Sequence, residues 1–369
     1  MNSVESQKAK GKSGAAERSS KIIDDLLWNF GCWLTHEDKY SDIIISSRIR
    51  LARNIEGYNF PDRARKDNLA QILKNVKDAC LACTSLQKAT YIEIDRLSEW
   101  EKKFFVERRL ASPQFIEKPR PSLLVIGHLE SLSIMVNEED HLRIQSMEAG
   151  LGMKDAWEII RRVDDELGEK LRYSFSNQFG YLTACPTNTG TGMRVSIFVH
   201  LPALSLKDKI NAVIKQLPTS EIAVRGFYGE GTDPVGSIFQ ISNQLTLGRT
   251  EEGMIERLEI IAKKLVDLER IAREDLLKED KIRLEDMIYR ALGTLKNARI
   301  MSSLEAMNLL STVRFGRELG LLDNISRIAI NQLLVLVQPA HLQKIYSKKL
   351  NPRERDITRA EFIRQHLQV

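Results

Sequence analysis

The feature that most constrains this chain is a change of pattern near residue 250. Before it, short β-branched or apolar runs recur at Ile43–Ile45, Thr90–Ile94, Ser122–Ile126, Ser131–Asn137, Met193–Leu201, Glu221–Val224 and Val235–Ser242, and each reads as a strand. Helical spacing covers Lys21–Leu34, Asp67–Leu86, Arg96–Leu110 and Leu151–Leu171. Ser205–Asp208 reads as a capping box that opens a helix to Leu217. After Glu251 only helical periodicity remains, in Glu251–Leu276, Lys281–Leu295, Ser303–Leu319, Ile325–Val337 and Arg355–Leu367. The first part has no βαβ rhythm. The expected fold is therefore α+β: a largely antiparallel sheet flanked by helices, followed by an all-α C-terminal domain. The expected divisions are a disordered tail over 1–20, a mixed domain over 21–254 and a helical domain over 255–369. A chain of 369 residues suits two domains, because single cores stop growing at roughly 250–300 residues.

Charge narrows the ligand classes. The net charge is +5, with acidic residues mixed throughout, and the arginines lack interleaved aromatic platforms. Nucleic acid is therefore not expected, whereas an anionic phosphate suits the balance. Four cysteines, at 32, 80, 83 and 185, are too few for a disulfide scaffold. Cys80 and Cys83 read as neighbours on one helix face, with no second pair or spaced His to complete a metal site. The longest apolar runs, such as Leu333–Val337, fall short of a membrane span, and Met1–Ser20 lacks the apolar core of a signal peptide. A reducing, cytoplasmic setting without a membrane is expected.

Four segments carry chemistry. Cys185-Pro186-Thr187-Asn188-Thr189-Gly190-Thr191-Gly192-Met193-Arg194 is a glycine-bearing loop whose backbone amides can approach an oxyanion, with Arg194 adding a planar fork of donors. Taken singly it is equally a hairpin turn with a solvated arginine. In Ser46-Ser47-Arg48-Ile49-Arg50, the two arginines face one side of a strand and repel unless an anion lies between them, although an edge strand in water would also carry them. Asn137-Glu138-Glu139-Asp140-His141-Leu142-Arg143 ends an apolar strand in three acidic residues, which raises a carboxylate's pKa. A polar turn would have the same composition. Arg225-Gly226-Phe227-Tyr228-Gly229-Glu230-Gly231 is a second glycine-rich loop with an arginine and a carboxylate. No P-loop and no strand-linked G-x-G-x-x-G occurs, so a nucleotide would be held by arginine side chains. Arginine clamps and two carboxylates suit phosphoryl transfer to a cationic acceptor.

In order and in wording, these segments resemble the signature motifs of the ATP:guanidino phosphotransferases, the creatine and arginine kinases, over roughly Asp42–Arg249. The resemblance implies a phosphagen-kinase-like catalytic domain using ATP, with Mg²⁺ bound mainly through ATP and water. It implies that Arg48, Arg50, Arg143, Arg194 and Arg225 hold the phosphates, that Glu139 is the catalytic base, and that Glu230 grips the guanidinium. It further implies that Cys185 is the reactive cysteine beside the guanidino group, orienting or tuning it rather than attacking. Where the family has an acidic residue near the nucleotide base, this chain has Gln240.

The layout departs from the small-molecule enzymes. Only one short helix precedes Ser46-Ser47-Arg48, and a helical domain follows the kinase part. This resembles the bacterial protein arginine kinases, which phosphorylate arginine side chains of proteins. Arg355-Asp356-Ile357-Thr358-Arg359-Ala360 is similar to their C-terminal motif, which implies an allosteric phosphoarginine pocket built on Arg355, Asp356 and Arg359. Read physically, Arg355 and Arg359 share a helix face and could grip a phosphate, or form a solvated, ion-paired surface. The expected function is transfer of the ATP γ-phosphoryl group to protein arginines, marking them for Clp-type proteolysis. The implied partners are protein substrates with exposed arginines, a Clp-type protease, an activator protein and a second copy of the chain. Two alternatives stand beside it: a kinase of free arginine or another small guanidine, and a phosphoarginine-reading adaptor to a protease.

Overall fold

The computed structural model describes residues 21–218, 220–226 and 235–367. Glu230 and the expected tail over 1–20 lie outside the described residues. The strands are β1 (Ile44–Arg53), β2 (Thr90–Glu93), β3 (Leu123–Ile126), β4 (Leu132–Val136), β5 (Leu142–Ala149), β6 (Phe175–Ser176), β7 (Gly180–Tyr181), β8 (Met193–His200), β9 (Ile222–Gly226) and β10 (Ile238–Asn243). Eight of them follow the order β2-β3-β4-β5-β1-β8-β10-β9, and β6 pairs with β7. The pairs β2–β3, β3–β4, β4–β5, β8–β10 and β10–β9 are antiparallel, as expected. β3 is Leu-Leu-Val-Ile, all buried, the continuous apolar run of a strand covered on both faces.

The chain forms two compact units. The first holds residues through Gly31, Arg50–Ser146 and Trp157–Met193; the second holds Cys32–Ile49, Met147–Ala156 and the chain from Arg194 onward. In the first unit, the helix Lys66–Leu81 buries Leu69, Ile72, Val76, Ala79 and Cys80, at the spacing of one helix face. It ends earlier than its periodicity predicts. The Ala82 amide turns back onto Asp78 and Ala79, and Cys83 follows in extended backbone. Cys80 and Cys83 therefore do not share a helix face, although both are buried. Burial, then the neighbouring Cys83, pushes the Cys80 thiol up to about 12. The helix Glu99–Glu107 begins where Ser98 and Glu101 form a capping box, later than the charge pattern suggested.

The second unit contains the long helix Glu251–Glu279, opened by Thr250 accepting from the Gly253 amide at 3.1 Å, and the helices Lys281–Asn297, Ser303–Glu318, Arg327–Leu336, Pro339–Ile345 and Pro352–His366. The short Pro339–Ile345 helix carries too few turns to show in the periodicity. No capping box exists at Ser205. Instead Pro202 opens a short helix, Pro202–Leu206, and the buried Glu269 carboxylate accepts the Ala203 and Leu204 amides at 3.0 Å each. A side chain 65 residues downstream does the capping, so local sequence could not reveal it. Arg314 is also buried, donating to Asn331 Oδ1 (3.1 Å), Ser41 O (2.7 Å) and His200 Nδ1 (2.8 Å). Burial, then the charges of Arg314 and Arg273, holds the His200 pKa well below the usual histidine range.

Candidate active site

In the first unit, β4 and β5 pair with Val136 opposite Leu142, and the Asn137 amide donates to His141 O at 2.9 Å. Glu138, Glu139 and Asp140 are thereby left at the hairpin tip. Asn137 adopts φ +61°, a conformation asparagine tolerates, and its Nδ2 donates to Leu69 O and Pro121 O at 2.9 Å each. The three carboxylates differ sharply in surroundings. Glu138 is buried, and its oxygens accept from Ser112 Oγ (2.5 Å), from Arg143 Nη1 (2.9 Å to each oxygen) and from the Glu139 amide (2.7 Å). Burial alone would raise its pKa, but Arg143 and these hydrogen bonds outweigh it and hold the carboxyl below the usual range. Glu139 is half-buried, and its carboxylate has no hydrogen-bond partner among the described residues. Burial, then the charges of Asp140 and Glu138, raises its pKa.

Asp140 ties the hairpin to the cysteine loop. Its Oδ1 accepts from Asn54 Nδ2 and from the Ala184 amide, at 2.7 Å each. Asn54 also donates to Leu182 O at 3.0 Å and accepts the His141 amide at 2.9 Å. His141 Nδ1 accepts the Ile55 amide and Nε2 donates to Asn59 O, both at 2.9 Å, so the ring is neutral with its proton on Nε2. Within the loop, Thr183 Oγ1 donates to Cys185 O at 2.7 Å, and Cys185 Sγ lies 3.0 Å from Thr187 Oγ1. Cys185 is half-buried, whereas the other three cysteines are buried. Thus the acidic hairpin, Arg143 and Cys185 are brought together in one unit, with Arg50, half-buried on β1, in the same unit.

The second unit carries an arginine-bearing face. Gln240 on β10 lies opposite Arg225 on β9 and Phe198 on β8, so all three point to the same side. Arg194 is four residues from Phe198 on β8 and shares that side. The Arg48 guanidinium sits 5.6 Å from the Phe198 ring centroid. Arg48, Arg194, Arg225 and Gln240 thus occupy one face of the adjoining strands. Guanidinium donors grouped in this way match the oxygens of a phosphate chain.

The C-terminal motif lies on the helix Pro352–His366. Arg359 is buried, donating to Val337 O and Met301 O at 2.8 Å each and to Asp356 Oδ1 at 2.5 Å. Arg355 is half-exposed. Asp356 therefore meets Arg359 of its own motif.

Residues 71–272 match the family described as ATP:guanido phosphotransferase, C-terminal catalytic domain. Residues 281–369 match the protein-arginine kinase McsB C-terminal domain. The protein-arginine kinase of Clostridium acetobutylicum is 43% identical, over 91% of this chain and 99% of that one. The protein-arginine kinase of Desulforamulus reducens is 46% identical, over 91% and 95%. The chain belongs to the protein-arginine kinase family. The family's fold is shared by lombricine kinase, whose crystal structure matches with a TM-score of 0.56 at 23% identity, covering 65% of this chain and 71% of that chain. It is also shared by the duplicated taurocyamine kinase of Schistosoma mansoni solved with transition-state-analogue components, with a TM-score of 0.58 at 22% identity, covering 75% and 41%.

Several residues that organise the acidic hairpin and the cysteine loop are not assigned by the sequence. Ser112 and Glu138 fix Arg143, and Asn54 and Asp140 fix the cysteine loop. Glu138 sat inside a recognised motif, but nothing in a run of three acids says which one will be buried against an arginine. Ser112 lies 26 residues from Glu138 and gave no signal.

Proposed function

We propose that this chain transfers the γ-phosphoryl group of ATP to a guanidinium nitrogen of arginine side chains in proteins. The observation that carries the proposal is the contrast at the hairpin tip: Glu138 is consumed by Arg143 and Ser112, while Glu139 keeps a half-buried carboxylate of raised pKa. A raised pKa makes Glu139 a better base than an ordinary carboxylate. It takes the proton from the attacking nitrogen as the N–P bond forms and the bond to the β–γ bridging oxygen breaks, the electron pair leaving with ADP. Arg48, Arg50, Arg143, Arg194 and Arg225 neutralise phosphate charge, Glu230 grips the acceptor, and Cys185 orients it. Mg²⁺ is assigned to the triphosphate and water, because it dehydrates reluctantly and keeps several waters beside phosphate oxygens.

The finer assignments belong to the same proposal. They are the division at 254/255, phosphoarginine binding at Arg355, Asp356 and Arg359, delivery of marked proteins to a Clp-type protease, an activator, dimerisation and a cytoplasmic setting. Since the Arg359 fork is occupied by carbonyls, the direct grip on phosphate falls to Arg355. The test is incubation with ATP and either a casein-like protein or free arginine, read as acid-labile phosphate. Label on the protein alone is expected. Label on free arginine alone sinks the protein-kinase reading. Glu139→Gln should lose about 10²–10⁴-fold in turnover and still bind ATP; an unchanged rate removes Glu139 from the mechanism.

A further inference from the structure

β1 carries a third arginine whose use differs from that of Arg48 and Arg50. Arg53 is odd-numbered on the strand and so faces the opposite side, where it is buried. Its Nε and Nη2 grip Asp164, on the helix Met153–Gly168, at 3.1 and 2.7 Å. The guanidinium lies 3.6 Å from the Tyr181 ring centroid and 5.9 Å from that of Tyr173. Nη1 donates to Ala52 O and to Thr191 O, each at 2.9 Å. The cysteine loop is pressed directly onto this group. Gly192 has φ +65°, and a Cβ there would sit 2.6 Å from both Ala52 O and Arg53 Nη1. The Ala52 amide donates to Gly192 O at 2.9 Å, and Tyr181 and Gly190 exchange backbone hydrogen bonds of 2.7 and 3.3 Å.

The loop therefore has two grips. Asp140 holds its start through the Ala184 amide, and Arg53 holds its end at Thr191 and Gly192. Cys185 lies between them. We infer that Arg53, oriented by Asp164 and Tyr181, is a positioning residue that sets the backbone of the loop carrying Cys185. Lysine cannot replace it, because a point charge cannot serve Asp164 and Thr191 from one planar fork. The link to turnover rests on the kinase reading above; the effect on the loop does not.

The experiment measures the alkylation rate of Cys185 by iodoacetamide in the full chain, by peptide mass spectrometry, with Cys32, Cys80 and Cys83 as buried internal controls. Arg53→Lys and Asp164→Asn are expected to change the Cys185 rate at least tenfold, leave the three controls unreactive, and lower kcat more than they change KM for ATP. A wild-type Cys185 rate in folded Arg53→Lys overturns the inference. If that variant does not fold, Gly192→Ala decides, since it presses on the guanidinium without removing it: an unchanged Cys185 rate again overturns the inference. A wild-type chain that phosphorylates no arginine would sink the kinase reading while leaving the alkylation result interpretable.

Discussion

Two adjacent glutamates are expected to respond oppositely to the same substitution. Glu138→Gln removes a buried negative charge facing Arg143, Ser112 and the Glu139 amide. An amide keeps the shape but presents one acceptor oxygen in place of two and removes the ion-pair partner of Arg143, leaving only the more distant charges of Glu139 and Asp140. Removing one partner of a buried ion pair costs about 3–5 kcal/mol, and even 3 kcal/mol is about two decades in the folded-to-unfolded ratio. The sign with pH follows from the direction of the shift. Glu138 is held below the ordinary glutamate value of 4.5, so its contribution is present above that value and is lost as pH falls through the folded pKa. Glu139 is shifted upward, so folding is favoured when it is protonated, and that contribution is lost as pH rises through its folded pKa. At neutral pH its charge is a burden on folding, and Glu139→Gln is expected to stabilise the chain while lowering turnover by about 10²–10⁴-fold. Urea unfolding of both variants at pH 7 and at pH 4 tests this. Glu138→Gln should be destabilised at pH 7, with the deficit shrinking at pH 4. Equal unfolding midpoints at pH 7, or a destabilised Glu139→Gln, would refute the assignment of the two environments.

Three further outcomes are expected. His200 and His141 both have pKa values below 6.5, so the chain should lose stability as pH falls from 6.5, by about 1.4 kcal/mol per pH unit for each proton taken up on unfolding; His200→Asn should reduce that slope by one proton in urea titrations from pH 7 to 5. Arg225→Ala should raise KM for ATP by tenfold or more and leave the circular dichroism spectrum unchanged, since the side chain is only half-buried at a strand end. Arg359→Met strands the Val337 and Met301 carbonyls at about 1–3 kcal/mol each, so it should lower the unfolding midpoint far more than Arg355→Met does.

Legibility in the sequence followed the range of the interaction. The acidic run, the Ser-Ser-Arg-Ile-Arg strand and the glycine loop are local patterns, and each lies on the element its spacing suggested. The roles within them were less legible. Three consecutive acids look alike on the page, and only the folded chain gives Glu138 an arginine and a serine, Asp140 an amide from the cysteine loop, and Glu139 neither. The capping of the Ala203 and Leu204 amides by Glu269 and the seating of Gly192 on Arg53 were invisible for the same reason.

The sequence by itself determined the α+β character, the helical C-terminal region and the guanidino-kinase motifs, because side-chain period and turn chemistry are properties of neighbouring residues. Tertiary structure alone decided which buried charges are compensated. Desolvation and pairing depend on groups that arrive from distant parts of the chain, and those set the pKa and the freedom of each acid at the site.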